Sequence, residues 1–224
     1  ILIVPESTMH TVKLGNTDIP VGKVVCIGRN YADHINELGN KVPAHPVIFI
    51  KPASSIVGEG GIIVIPPHST DCHHEVELAV LIGTRAKNVD ANNALAHVAG
   101  YAVALDLTLR DVQSAQKEKG LPWEIAKAFD TACPLSAFVA ADQVGDPQRL
   151  QIKLTVNETV RQDGNTADMM RSVAELIAAA STYFTLEDGD ILLTGTPSGV
   201  GRIESGDQLL AEIEQVGTLN VSVA

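Results

Sequence analysis

The segment DCHHEVELAVLIG, residues 71–83, constrains the fold more than any other. It begins by alternating, with Glu75 and Glu77 two apart, and ends as a continuous apolar run. A strand with one wet face keeps alternating, whereas one that turns wholly apolar enters a buried sheet. A second segment, YAVALDLTLRD (101–111), alternates for nine residues. It is predicted to place Val103, Leu105, Leu107 and Leu109 on one face, and Ala102, Ala104, Asp106 and Thr108 on the other. Asp106 then falls mid-strand between two leucines. An aspartate there is costly unless it is exposed, paired or bound to a cation.

Short apolar strands are expected at KVVCIG (23–28), PVIFIKP (46–52) and GGIIVIPP (60–67). DILLTGTPSGVG (190–201) reads as a strand running into a glycine-rich turn, and the C-terminal stretch as a hairpin around Gly217. Helical patterns are fewer. NYADHINELG (30–39) repeats Ala32, Ile35 and Leu38 and stops at Gly39. VDANNALAHVAG (89–100) suggests an Asp90 N-cap and a Gly100 stop. RDVQSAQKEKG (110–120) and SVAELIAAASTYF (172–184) are the remaining two. Strands outnumber helices and are too irregularly spaced for a doubly wound sheet, so the chain reads as a β-rich α+β fold. Residues 1–20 are expected as a loosely structured lead-in and residues 21–224 as one domain.

The 224 residues are 45% hydrophobic and 19% charged, a globular composition. The three cysteines, Cys26, Cys72 and Cys133, form no CxxC pair and suit reduced thiols in a cytoplasmic compartment. No apolar run approaches the roughly 20 residues that cross a bilayer. A net charge of −11 argues against nucleic acid as a partner. It also repels anions at long range, so an acidic substrate would need a metal or a local Arg/Lys cluster.

Candidate chemistry begins with the acids. Residues i and i+2 of a strand share a face about 6.6 Å apart, so Glu75 and Glu77 can converge on one point. His73 shares their face and His74 points away. With Asp106 they make a hard, all-oxygen donor set suited to Mg²⁺ or Mn²⁺. The competing reading is a solvated edge for the glutamates and a buried salt bridge for Asp106. His34 and Glu37, at i and i+3 on a short helix, share a face; a carboxylate that holds an imidazole makes it a better base. A helix-surface pair is the alternative. Arg29, Lys51, Arg110 and Lys127 each lie beside a strand end or turn. The turn LTGTPSGVG lacks the lysine of a phosphate-binding loop, which excludes a nucleotide, but its backbone N–H groups and the Thr196 hydroxyl can meet an anion.

Six ordered blocks, CIGRNYADHINELG, FIKP, HHEVELAVLIG, YAVALDLTLRDVQ, PWEIAKAFDTACPLS and LTGTPSGVG, resemble the fumarylacetoacetate hydrolase family, in particular its short acylpyruvase-like members. The resemblance runs from about Lys23 to the C-terminus and implies the family's mixed β-sandwich roll, as a catalytic domain and a homodimer. It implies Mg²⁺ or Mn²⁺ on Glu75, Glu77 and Asp106, and a His34–Glu37 dyad in a segment that often orders as a lid. It assigns Arg110, Gln113, Lys127 and Thr196 to the oxo-acid end of a substrate, with Lys51 near the entrance and Arg29 among the substrate contacts. Lys127 would also steady charge during reaction. The implied activity is C–C hydrolysis of 2,4-dioxo acids such as acetylpyruvate or fumarylpyruvate. Oxaloacetate tautomerisation or decarboxylation on the same site is the alternative, and a non-catalytic oxo-acid-binding dimer lies outside both.

Overall fold

The computed structural model describes residues 10–37, 39 and 42–224. Its centre is a six-stranded sheet ordered Val139–Ala140, Val98–Leu105, Val76–Ile82, Ile191–Leu193, Lys23–Gly28, Val47–Pro52. Neighbours are antiparallel except Ile191–Leu193 and Lys23–Gly28, which run parallel. A five-stranded sheet covers one face, ordered Thr159–Asn165, Gln151–Val156, Gln208–Ile213, Gly217–Val223, Ile62–Ile63. Between them lies the larger core, where Val25, Leu78, Val80, Val103 and Leu105 meet Ile152, Leu154, Leu209, Ala211 and Leu219.

The other face is covered too. Val24, Cys26, Ala79, Leu81, Ala102 and Ala104 pack with Val12, Leu135 and Phe138 in a second core. Burial on both faces explains why Val76–Ile82 is buried at every residue. The small alanines on this second face admit the covering segments closely.

Among the described residues, five short α-helices decorate the sheets: α1 (Ala32–Glu37), α2 (Ala91–Ala94), α3 (Arg110–Lys119), α4 (Glu124–Lys127) and α5 (Val173–Tyr183). Local chemistry sets their ends. Ser172 and Glu175 form a reciprocal capping box at the start of α5. Left-handed Gly120 (φ 63°) terminates α3. No described helix is long and apolar enough to cross a membrane.

The structure departs from the sequence expectations in four places. Residues 11–20 are not loose: Thr11–Leu14 and Thr17–Pro20 form an antiparallel hairpin. Val12 is buried in the second core, and the Phe138 N–H donates to Lys13 O at 2.7 Å. Residues 1–9 of the expected lead-in, and Leu38 of the first helical pattern, lie outside the described residues. Asp90 does cap α2, accepting from Asn92 N at 2.8 Å, but the helix ends early through a 3₁₀ turn at Leu95–His97. Gly100 therefore sits inside the strand Val98–Leu105 and stops nothing. Of GGIIVIPP, only Ile62–Ile63 is strand. Finally, 101–111 is not one continuous strand: it breaks at Asp106 and Leu107, and Thr108–Leu109 pairs instead with Cys72–His74.

Gly100 has a steric role in place of the expected one. A Cβ there would lie 2.5 Å from Val139 O on the paired strand. Gly100→Ala is expected to cost about 1–3 kcal/mol through overpacking, read as a lower urea midpoint; an unchanged midpoint would show that the edge strand yields freely.

Candidate active site

The strand break just described builds the site. Glu75 occupies the matching break between Cys72–His74 and Val76–Ile82, and the Asp106 N–H donates to Glu75 O at 2.8 Å. Two strands leaving the main sheet together thus bring two acids side by side. Glu77 follows two residues on and registers with Ala104. All three are buried, and each offers a carboxylate oxygen within 4.8 Å of the others.

Three cations surround these acids. Lys127, on α4, donates to Glu75 Oε2 at 2.8 Å and to Asp106 Oδ2 at 2.7 Å. Arg110, at the start of α3, pairs with Glu75 Oε1 and donates to Gln113 Oε1 at 2.9 Å. Lys51 is fully buried and donates to the carbonyls of Leu107 (3.2 Å), Ala132 (3.0 Å) and Lys127. Its Nζ also lies 2.9 Å from Asp106 Oδ1, but that oxygen accepts no hydrogen bond. The expectation that Lys51 stands near an entrance is therefore corrected. Lys51 is the buried donor to these carbonyls, of which Ala132 O also accepts from Leu107 N at 3.1 Å.

Electrostatics separate the two glutamates. Burial works against ionised Glu75, but Lys127 and then Arg110 outweigh it and hold its carboxyl well below the usual range. Glu77 goes the other way: burial, then Asp106 and Glu75, raise it well above the usual range. Lys127 and the Gly195 N–H offset this only in part. Lys127 is buried as well, yet Asp106 and Glu75 raise its ammonium above the ordinary lysine value.

The backbone N–H groups of the glycine-rich turn go to the chain's own carboxyl groups. Gly195 N donates to Glu77 Oε2 at 2.6 Å, and Gly199 N to Glu37 Oε1 at 3.0 Å. Both glycines have φ 95°. A Cβ on Gly199 would lie 2.1 Å from Arg161 O, so no other residue fits there. Thr196 is buried and accepts from Gln162 Nε2 at 2.8 Å.

Helix α1 closes the site. His34 Nδ1 lies 3.2 Å from Glu37 Oε2, and His34 lines the same cleft as Glu75, Glu77, Arg110, Gln113, Lys127 and Thr196. Arg29 lines it also, from a left-handed backbone conformation (φ 61°) that disfavours a side chain. His73 is not in that cleft; its Nε2 meets Asp71 Oδ1 at 2.9 Å. His74 points away, as read, and meets Gln162 Oε1 at 3.0 Å.

Sequence reasoning missed four participants. Gln162 ties His74, Val76 N and Thr196 into one buried network, from a hairpin with no diagnostic motif. Phe49, Trp123 and Lys117 line the cleft. The lone tryptophan, beside Pro122 and four residues before Lys127, was the available signal.

The donor set fits a hard divalent cation. Three buried carboxylates converge, no histidine or cysteine among the described residues joins them, and Asp106 Oδ1 has no hydrogen bond. Such a cleft, at the broken edge of a β-rich α+β sandwich, defines a carboxylate-centred enzyme-type site. Residues 23–224 match the family model described as fumarylacetoacetate (FAA) hydrolase C-terminal, and the chain belongs to that family.

The chain is 53% identical over 193 residues to oxaloacetate tautomerase YcgM of Escherichia coli (strain K12), covering 86% of this chain and 88% of the relative. It is 45% identical over 200 residues to the mitochondrial oxaloacetate tautomerase FAHD1 of Bos taurus, covering 89% and 90%. Its structure is similar to that of fumarylpyruvate hydrolase from Pseudomonas aeruginosa in complex with Mn²⁺ and pyruvate. The TM-score is 0.95 at 37% identity, covering 100% of this chain and 99% of that one.

Lys51→Met should destabilise the fold by about 3–5 kcal/mol, because it removes one of the two ammonium partners of buried Asp106 and the donor to the Leu107 and Lys127 carbonyls. A denaturant melt with no change in midpoint would contradict the buried role.

Proposed function

We propose that this protein is a divalent-metal-dependent enzyme acting on small 2-oxo acids, and that its reaction is keto–enol tautomerisation of oxaloacetate. The observation that carries this reading is the 53% identity, over most of both chains, to a relative named an oxaloacetate tautomerase. The intact cleft supports it. The identity favours this reaction over the C–C hydrolysis that the sequence reading put first.

Glu75, Glu77 and Asp106 would hold Mg²⁺ or Mn²⁺, which supplies Lewis-acid polarisation of a 2-oxo group. Arg110, Gln113 and Thr196 would fix the neighbouring carboxylate. Lys127, held between Glu75 and Asp106, adds fixed positive charge where the ketone oxygen gains negative charge. With its Nδ1 held by Glu37, His34 has Nε2 left to move the proton at C3. Tautomerisation needs only that proton shift and one at oxygen, with no bond to water.

A second reading is C–C hydrolysis of fumarylpyruvate or a similar 2,4-dioxo acid. It is favoured by the full-length structural likeness to a fumarylpyruvate hydrolase. There the His34–Glu37 pair would activate water. Ketonisation of enol-oxaloacetate and cleavage of fumarylpyruvate and acetylpyruvate, each assayed with and without Mg²⁺, separate the two. Metal-dependent ketonisation with slow cleavage supports tautomerisation; the reverse pattern replaces it with hydrolysis. No turnover of any of them leaves a binding protein.

His34→Ala should lower kcat/KM by about 10²–10⁴ while Mn²⁺ binding measured by calorimetry stays intact; full activity would remove His34 from the mechanism. Asp106→Ala should abolish measurable Mn²⁺ binding in the same calorimetric titration, and unchanged binding would refute the ligand assignment.

A further inference from the structure

Among the cations lining the cleft, Arg110 and Lys127 form ion pairs with the acids and lie at the 2-oxo end proposed above. Arg29 and Lys117 line it too, yet neither forms an ion pair among the described residues. Lys117 stands on α3 one turn beyond Gln113, about 6 Å farther along the helix, a step comparable with the length of a four-carbon acid.

Lys117 is an exposed residue whose ammonium lies against an aromatic ring. Lys117 Nζ lies 5.1 Å from the centroid of the Trp123 ring. Trp123 packs at a tilt against Phe49, centroids 5.9 Å apart, and Phe49 carries Lys127 Nζ at 4.9 Å. Two rings therefore separate an inner ammonium, already paired, from an outer one that is not. Partial burial, then Arg110, Arg29 and Lys127, push the Lys117 ammonium down to about 8, with Glu75 opposing. A cation crowded by other cations gains most from an incoming anion.

We propose that Lys117, with Arg29, receives the distal carboxylate of a doubly charged 2-oxo acid, and so makes the pocket prefer dicarboxylates over monocarboxylic 2-oxo acids of the same length. This deepens the function proposed above and rests on it for the placement of the 2-oxo end. The plain alternative is a solvated surface lysine that packs on Trp123 and meets no ligand.

The chain's single tryptophan is Trp123 itself, so its fluorescence reports occupancy directly. With Mg²⁺ present, freshly dissolved oxaloacetate is titrated against 2-oxobutanoate, in which a methyl replaces the distal carboxylate. The wild type should favour oxaloacetate, and Lys117→Met should reduce that preference roughly tenfold. Affinity for 2-oxobutanoate should hold, and Lys117→Arg should restore the preference. The preference should fade as pH rises through about 8 in the wild type and stay flat in Lys117→Met. Equal affinities for both acids in the wild type, or an equal loss on both in Lys117→Met, would overturn the proposal. A preference that persists in a protein unable to turn over oxaloacetate supports the role of Lys117 and sinks only the reaction.

Discussion

Everything at this site follows from three carboxylates buried within 4.8 Å of one another. Left alone, such a cluster would repel itself and neutralise by taking up protons. The fold instead delivers three cations to it from three segments: Lys51 from a sheet strand, Arg110 from α3 and Lys127 from α4. With all three acids ionised the formal charges cancel, although burial, Asp106 and Glu75 still favour a proton on Glu77. A divalent cation added there would leave the inner pocket with a surplus of two positive charges, and a doubly charged acid matches that surplus. With the proposed metal bound, that surplus would reconcile an acidic chain, net −11, with the acidic substrate proposed for it.

The sandwich supplies the second constraint. Because the six-stranded sheet is covered on both faces, its strands cannot end in solvent at the site without exposing core. They break instead, at Glu75 and Asp106, and hand the chain to a small separate sheet. The backbone bond between the two break residues fixes the acids' spacing before any side chain is placed.

Much of this was legible in the residues. The apolar run after Glu77 announced a buried strand, and Asp106 stood out because leucines flank it. The His34–Glu37 spacing placed both side chains on one helix face. The burial of Lys51 is not legible in the sequence because its partners, Leu107, Lys127 and Ala132, lie 56 to 81 residues away, and nothing local marks a carbonyl that a distant ammonium reaches. Gln162 escaped for the same reason, since its partners come from strands that meet only in the folded chain. The 11–20 hairpin was visible in hindsight: Val12 and Leu14 alternate before a turn at Gly15, which has φ 56°.

Helix α1 carries one further consequence. At six residues it is far below the length at which a helix persists in water by itself. What holds it is external: Ile35 in the interior, Asn30 bonded to Thr194 O and Arg171 O, and Glu37 latched by the Gly199 amide. In the proposed mechanism the imidazole is therefore in place only while this segment is docked. Under that mechanism a local folding equilibrium of this segment would set the competent fraction, and substitutions in the Asn30 anchor or the Gly199 turn would act on turnover by changing that population while leaving the reacting groups untouched.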